Sequence, residues 1–421
     1  MDFKIKKSFQ RLEQEPYASE NLFSPPEYDW PGDWEGRALL AYCRLYSLTG
    51  EKIPAMEKIM RLLGEKTNRF GYLGKELDLS AIDEQQLSGH GWLLRGLVAY
   101  YELFQSRQAL EYAHAIVHNL FIPALANYGS YPVERGSTGG GVYGNLSAKN
   151  GNWQLSTDIG CAFIAIDGLA HYYALTRDNE LEILLADAIE QFMNLDKVSL
   201  NMQTHATLTA TRGILKYYEV CGDEKYLSYA KETFALYVAH GMTATYENYN
   251  WFGDSHEETW TEPCAVVDSM ILALKLYRIT GEDTYRVLAR RIWFNGLQFC
   301  QRPNGGVGPN TCVDEKNPYL QISFYDAVQC CTMRYPEGLY WYQKNRELFH
   351  WEDGEPVWED GRCYVNDWLL AQDVGGVFPD EKHYEVDGKQ LIRIPPLNRI
   401  SEQEAKNAYL QVIFNTERQM A

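Results

Sequence analysis

One short pattern recurs along the 421-residue chain, and it limits the fold more than any other feature. It reads LLAYCRLYSLTGE at 39–51, LLRGLVAYYELF at 93–104, IDGLAHYYAL at 166–175, ATRGILKYYEVCGDEKYL at 210–227 and MILALKLYRITGEDTYRVL at 270–288, with a degenerate copy, GLYWYQKN, at 338–345. The marker tyrosines are Tyr46, Tyr101, Tyr173, Tyr218, Tyr277 and Tyr340. Copies carry apolar residues at i, i+3, i+4 spacing and end on turn signals such as Thr49-Gly50, Gly222-Asp223 and Thr280-Gly281, so they predict helices. A second helical segment follows at 107–119, 180–194, 224–239 and 284–299. Two helices repeated six times describe an all-α (α/α)6 barrel, a six-hairpin toroid. The expected organisation is an N-terminal extension at 1–27, the barrel at 28–345 and a small β-rich tail at 346–421 resting on it. Length alone would allow two or three domains, but unrelated domains would not share one marker.

The tail predicts strands at Cys363–Leu370, His383–Val386, Gln390–Ile394 and Tyr409–Phe414. Loops rich in Gly and Asn at 136–152, 246–260 and 302–317 are expected to gather at one end of the barrel and shape a cleft. Gly139-Gly140-Gly141 has no preceding strand and no following Gly-Lys-Ser/Thr, so it reads as a connector and not a phosphate loop.

Composition narrows the partners. A net charge of −18 argues against nucleic acid and against an anionic membrane surface. Neither a membrane-spanning stretch nor a signal peptide is visible, and the expected location is cytoplasmic. The 30 tyrosines suit either sugar stacking or helix packing. A small-molecule or oligosaccharide substrate is the expected partner, with a homo-oligomer left open.

Nine cysteines in a reducing compartment read as thiols, metal ligands or nucleophiles. Glu262-Pro263-Cys264 opens the fifth copy, and the vicinal pair Cys330-Cys331 precedes the sixth. A Glu and a Cys where a loop enters a helix can turn toward one ion. Two cysteines from a distant segment would complete a Cys3Glu set suited to Zn²⁺. Buried apolar cysteines or a vicinal disulfide are the alternatives. A helix N-terminus and a metal would each favour a thiolate at neutral pH.

These residues resemble glycoside hydrolase family 127, the β-L-arabinofuranosidases and their relatives. The match rests on Glu262-x-Cys264 at a helix start, Leu274-x-Leu-Tyr-x-x-Thr-Gly-Glu282 and Cys330-Cys331. Gly32-Asp-Trp-Glu-Gly-Arg37, Gly89-His90-Gly91 and Thr204-His205-Ala206 add to it. It covers residues from about 28 to 370, and the family's fold is an (α/α)6 barrel followed by β-domains, usually in longer chains.

The resemblance implies Zn²⁺ held by Glu262, Cys264, Cys330 and Cys331, with Cys330 also the nucleophile. It implies a retaining glycosidase that passes through a thioglycosyl intermediate, acting on L-arabinofuranosides or related sugars of plant-type glycans. The family's acid/base glutamate is best matched by Glu247, although Tyr246 replaces the family's preceding glycine, and Asp254, Glu257 and Glu258 compete. His90 and His205 match sugar-contacting histidines, though a lone His is more often an ordinary hydrogen-bonding residue. A third such histidine has no counterpart near Asp158, so either Asp158 replaces it or the substrate differs. Trp251 offers a stacking face. Cys300 and Cys312 read as bystanders. Three other readings compete: a glycosidase for another rare pectic or uronic sugar, an epimerase or isomerase using His90 and His205, and a non-catalytic zinc-stabilised glycan binder.

Overall fold

The structure is a computed structural model that describes residues 2–17, 23, 30–134, 148–156, 158–253, 259–327 and 330–416. Most of the 136–152 loop, including Gly139-Gly140-Gly141, lies outside the described residues, as do Asp254, Glu257 and Glu258.

The α-helices of nine residues or more among the described residues are, in chain order, α1 (Asp2–Leu12), α2 (Asp33–Thr49), α3 (Pro54–Lys66), α4 (Glu84–Phe104), α5 (Arg107–Ile116), α6 (Ala165–Thr176) and α7 (Asn179–Met193). They continue with α8 (Thr204–Cys221), α9 (Glu224–His240), α10 (Pro263–Thr280), α11 (Asp283–Arg291) and α12 (Cys331–Lys344). The six recurring segments fall on α2, α4, α6, α8, α10 and α12. In the first five, the marker tyrosine contributes the carbonyl that accepts the N–H of the C-cap residue: Gly50 to Tyr46, Gln105 to Tyr101, Arg177 to Tyr173, Gly222 to Tyr218 and Gly281 to Tyr277. All five caps are left-handed, with φ between 52° and 74°. The sequence repeat is therefore the signature of one helix stop. The degenerate sixth copy lacks it: α12 ends at Asn345 with φ −123°.

Marker helices and their partners are buried differently. In α4, residues 84 to 99 are all buried, and in α10 residues 263 to 276 are. Partner helices bury one stripe, such as Met56, Ile59, Met60 and Leu63 in α3 or Leu181, Leu185, Ala188, Ile189 and Phe192 in α7. The first group is enclosed by neighbours and the second is amphipathic. Close approach explains the glycines inside marker helices: a Cβ at Gly36 would lie 2.2 Å from the Trp92 and Leu93 backbone, and one at Gly168 would lie 2.3 Å from the Gly91 carbonyl oxygen.

The chain packs as two compact units. One comprises Glu13–His240 and Trp251–Asp254, and so contains α2 to α9. It also holds a small sheet in which β1 (Ile82–Asp83) pairs in parallel with β3 (Trp153–Leu155), and β3 pairs antiparallel with β2 (Ala148–Asn150).

The other unit comprises Met1–Leu12, Gly241–Asn250 and Ser255–Ala421, with α1 and α10 to α12. Its antiparallel sheet runs β4 (Tyr319–Gln321), β10 (Tyr409–Val412), β7 (Trp368–Asp373), β6 (Arg362–Val365) and β5 (Val357–Glu359), while β9 (Lys389–Arg393) also pairs with β7 and with β8 (Tyr384–Val386). The segment 363–370, expected as one strand, is a hairpin: Asn366 and Asp367 have φ 45° and 70°. Two-residue turns with both residues left-handed match the twist of antiparallel strands. Asp360-Gly361 and Asp387-Gly388 make the other two such turns. The sheet closes on Cys363, Val365, Leu370, Tyr384, Val386 and Leu391, with Trp351 and Trp358 packed against them.

Candidate metal centre and acid/base residue

Glu262 is the N-cap of α10, Pro263 its first residue and Cys264 its second; Cys330 is the N-cap of α12 and Cys331 its first residue. Proline is tolerated at this first position because its missing N–H has no partner in the helix. Two helix N-termini thus supply all four side chains, where the backbone dipoles favour negative charge. Their ligand atoms lie within 4.8 Å of one another. Cys331 Sγ is 3.6 Å from Cys264 Sγ and 3.6 Å from Cys330 Sγ. Thiolates arranged tetrahedrally about 2.3 Å from a zinc ion stand roughly 3.8 Å apart, whereas disulfide sulfurs are about 2.05 Å apart. All nine cysteines are free of disulfides, which removes the vicinal disulfide.

Electrostatics point the same way. Burial pushes the Cys264 and Cys331 thiols well above the ordinary range, and crowding by Cys330 adds to it in both. Acids packed this closely do not ionise together without a counter-cation. The donor set therefore fits a soft or borderline divalent ion, with Cys330 the most solvent-accessible of its three thiols.

A buried ionic network ties the two helices together just past the cluster. Arg334, fully buried, donates to Asp268 Oδ1 at 2.6 Å and also pairs with Glu337. Asp268 lies one turn beyond Cys264, and Arg334 one turn beyond Cys330. Replacing Arg334 by Met should cost about 3–5 kcal/mol, because two buried carboxylates lose their countercharge. Denaturant unfolding measures this, and R334M/D268N/E337Q should recover part of the loss. Farther toward the N-terminus of α12, Thr332 Oγ1 donates to Asp326 Oδ1 at 2.7 Å, and Arg11 holds Asp326 at 2.6 Å.

Glu247 sits in the same unit, fully buried. Asn310 Nδ2 donates to Glu247 Oε1 at 2.7 Å, the Cys300 thiol lies 3.4 Å from the same oxygen, and Thr245 Oγ1 donates to Oε2 at 3.3 Å. Burial raises the Glu247 pKa to about 7, against the opposing pull of Asn310 and Cys300. Buried Arg302 fixes the Asn310 amide by donating to Oδ1 at 2.9 Å, which turns the NH2 group toward Glu247. Asn248, next in the chain, accepts from the Glu262 N–H at 2.9 Å. Sequence reasoning missed Asn310 and Arg302, which occupy a loop with no motif. It treated Cys300 as a bystander; Cys300 is outside the metal-ligand group but contacts Glu247. The Cys312 thiol lies 3.5 Å from the Asn248 carbonyl oxygen and is also outside that group.

The remaining predicted residues lie in the other unit. His90 is fully buried: its Nε2 accepts from the Leu73 N–H at 3.0 Å and its Nδ1 faces the Gln86 carbonyl at 2.8 Å. Burial lowers its pKa to about 4, so the ring is neutral. His205 stacks on Trp92, with ring centroids 5.8 Å apart and planes 9° apart. Its Nε2 lies 3.4 Å from the Arg37 guanidinium, which is paired with Asp33 at 2.8 Å and sits over Trp92. Trp251 Nε1 donates to Asp158 Oδ1 at 2.9 Å, which joins two residues 93 positions apart.

Among the described residues, no helix is long and apolar enough to cross a membrane. No protein-family model matches the sequence, and no curated protein does. Solved structures do match in fold. The GH127 β-arabinofuranosidase BT3674 superposes with a TM-score of 0.55 at 14% identity, covering 93% of this chain and 63% of that one. Cellobiose 2-epimerase from Bacillus thermoamylovorans B4167 gives 0.55 at 13% identity, covering 82% and 100%. An unsaturated glucuronyl hydrolase specific for heparin gives 0.54 at 12% identity, covering 83% and 100%. The chain thus spans 63% of the length of the arabinofuranosidase it matches, and what it shares with all three at this level of identity is the fold.

Proposed function

We propose that this chain is a retaining glycoside hydrolase with a zinc-held cysteine nucleophile, built on an (α/α)6 toroid. Its proposed substrates are L-arabinofuranosides or related sugars of plant-type glycans. The observation that carries the reading is the convergence of Glu262, Cys264, Cys330 and Cys331 at two helix N-termini. The fold shared with an arabinofuranosidase and a glucuronyl hydrolase supports it.

A bound zinc ion would keep the thiols ionised at neutral pH. In the proposed first step the Cys330 sulfur attacks the anomeric carbon, the glycosidic C–O bond breaks, and the leaving oxygen takes the proton of Glu247. In the second step the Glu247 carboxylate removes a proton from water, which attacks the anomeric carbon. The C–S bond breaks and the sulfur departs as thiolate. His205, Asp158 and Trp251 carry the proposed sugar contacts; the fully buried His90, with both ring nitrogens on backbone groups, is not proposed among them.

Glu247 must be protonated to act as acid, and its pKa of about 7 makes that fraction fall as pH rises through neutrality. Glu247→Gln should therefore lose about 10²–10⁴-fold in kcat on substrates with poor leaving groups, and lose the alkaline limb of the pH profile. An aryl leaving group of low pKa should restore much of kcat/KM, which reports the first step, while kcat stays low because the second step also needs Glu247. Unchanged turnover would move the role to Asp254, Glu257 or Glu258.

A panel of aryl glycosides that includes β-L-arabinofuranoside, run with and without chelator and thiol alkylation, tests the reading. Release that both treatments abolish supports it. Epimerisation without release would favour the isomerase reading, which leaves the four clustered residues without a role. It would also require a proton-transfer role for His90, whose two ring nitrogens are engaged by backbone groups. No turnover on any sugar, with a bound ion, would favour a glycan binder.

A further inference from the structure

A second group of metal-ligating side chains stands apart from the Glu262 cluster, within the unit that holds α2 to α9. His114 lies in the last turn of α5, and His118 lies in the π-helical turn Val117–Phe121 that prolongs it. Four-residue spacing puts the two imidazoles on one face, with ring centroids 4.1 Å apart. Asp178 is the N-cap of α7. Its Oδ1 accepts from the Glu180 and Leu181 N–H groups at 3.1 Å, while its Oδ2 lies 2.8 Å from His118 Nε2. One carboxylate oxygen is thus committed to the helix cap and the other is held against the imidazole.

We propose that His114, His118 and Asp178 form a site for a divalent transition metal ion of the zinc or copper type. Ligand atoms from all three residues lie within 4.8 Å of one another. His114 also has an orienting partner of the kind metal-binding histidines generally have, its Nδ1 facing the Tyr172 hydroxyl at 3.1 Å, while the Glu180 carboxylate stands near His118 Nδ1 at 3.8 Å, beyond hydrogen-bond distance. Two imidazoles and one carboxylate are borderline donors that select Zn²⁺, Cu²⁺ or Ni²⁺ over Mg²⁺ and Ca²⁺. Side-chain exposures of 28% at His118 and 15% at Asp178 leave the group open to ions from solvent. Three protein ligands leave a position for water or an exogenous donor. The π-helical turn is a departure from regular helix of the kind that recurs at functional sites.

Calorimetric titration of the full chain with Zn²⁺ tests this, using the wild type, His114→Ala/His118→Ala, Asp178→Asn and Cys330→Ser. Asp178→Asn keeps a side-chain oxygen for the cap, so loss of binding there reports on the carboxylate and not on folding. The expected result is a binding event that weakens at least about tenfold in the histidine double variant and in Asp178→Asn, and is unchanged in Cys330→Ser. Titration with Co²⁺ should add visible bands, lost in the double variant, without sulfur-to-cobalt charge transfer. Equal Zn²⁺ binding by the wild type and the double variant would overturn the proposal and leave His118 and Asp178 as an ordinary hydrogen-bonded cap. Because Cys330→Ser separates the two sites, this outcome is independent of the glycosidase reading.

Discussion

Cys330→Ser should abolish glycoside hydrolysis, by at least about a thousandfold, while the protein keeps its wild-type fold. Serine retains the shape of the side chain but offers a hydroxyl that stays protonated at neutral pH, so the attacking anion is lost. Folding should survive because Cys330 is the N-cap of α12, a position at which serine is among the preferred residues. Steady-state rates on the substrate found by the glycoside panel, with a thermal melt and the zinc content of the same sample, separate loss of the nucleophile from loss of fold or metal. Cys312→Ala is the control: it removes another buried thiol of the same unit, outside the metal-ligand group, and should leave turnover in place.

Removing the metal should produce the second large effect. The purified protein is expected to carry about one zinc per chain at the Glu262 cluster, and Cys264→Ala should lose it. An ion present at a thousandfold excess over its dissociation constant contributes about 4 kcal/mol to the folded state. Chelation or Cys264→Ala should therefore lower the Tm by on the order of 10 °C, given a few degrees per kcal/mol for a unit of this size. The dependence on pH has a definite sign. Burial holds the Cys264 and Cys331 thiols protonated when no cation is present, so protons compete with the ion and the metal-dependent stability should shrink as pH falls. Calorimetry at several pH values, with and without chelator, reads this. A Tm indifferent to both chelator and Cys264→Ala would leave the cluster as ordinary buried thiols.

How much of this was legible in the sequence follows from what each residue needs. The marker tyrosines located five helix stops because a left-handed C-cap forces the same short pattern each time, and glycine or a tolerant polar residue must follow. The cysteine cluster was legible because both halves sit at helix starts, where a sharp change of periodicity exposes them. The hairpin at Asn366-Asp367 was not read. It interrupts an apolar run with two residues that also occur within strands, and only their positive φ values reveal the turn. Asn310 and Arg302 were invisible for another reason. Their roles come from loop geometry that brings residues 247, 300, 302 and 310 together, and no local spacing encodes that. His90 illustrates the converse: a motif histidine whose ring nitrogens both meet backbone groups.

The central claim is that Cys330 forms a covalent bond to the sugar during turnover. Rapid quenching of the enzyme with the aryl glycoside it hydrolyses, followed by peptide mass spectrometry, tests it most directly. The account predicts one glycosyl residue in thioether linkage on the peptide containing Cys330 and Cys331, assigned to Cys330 by fragmentation and absent from Cys330→Ser. Full turnover with no adduct on that peptide, together with undiminished activity in Cys330→Ser, would contradict it.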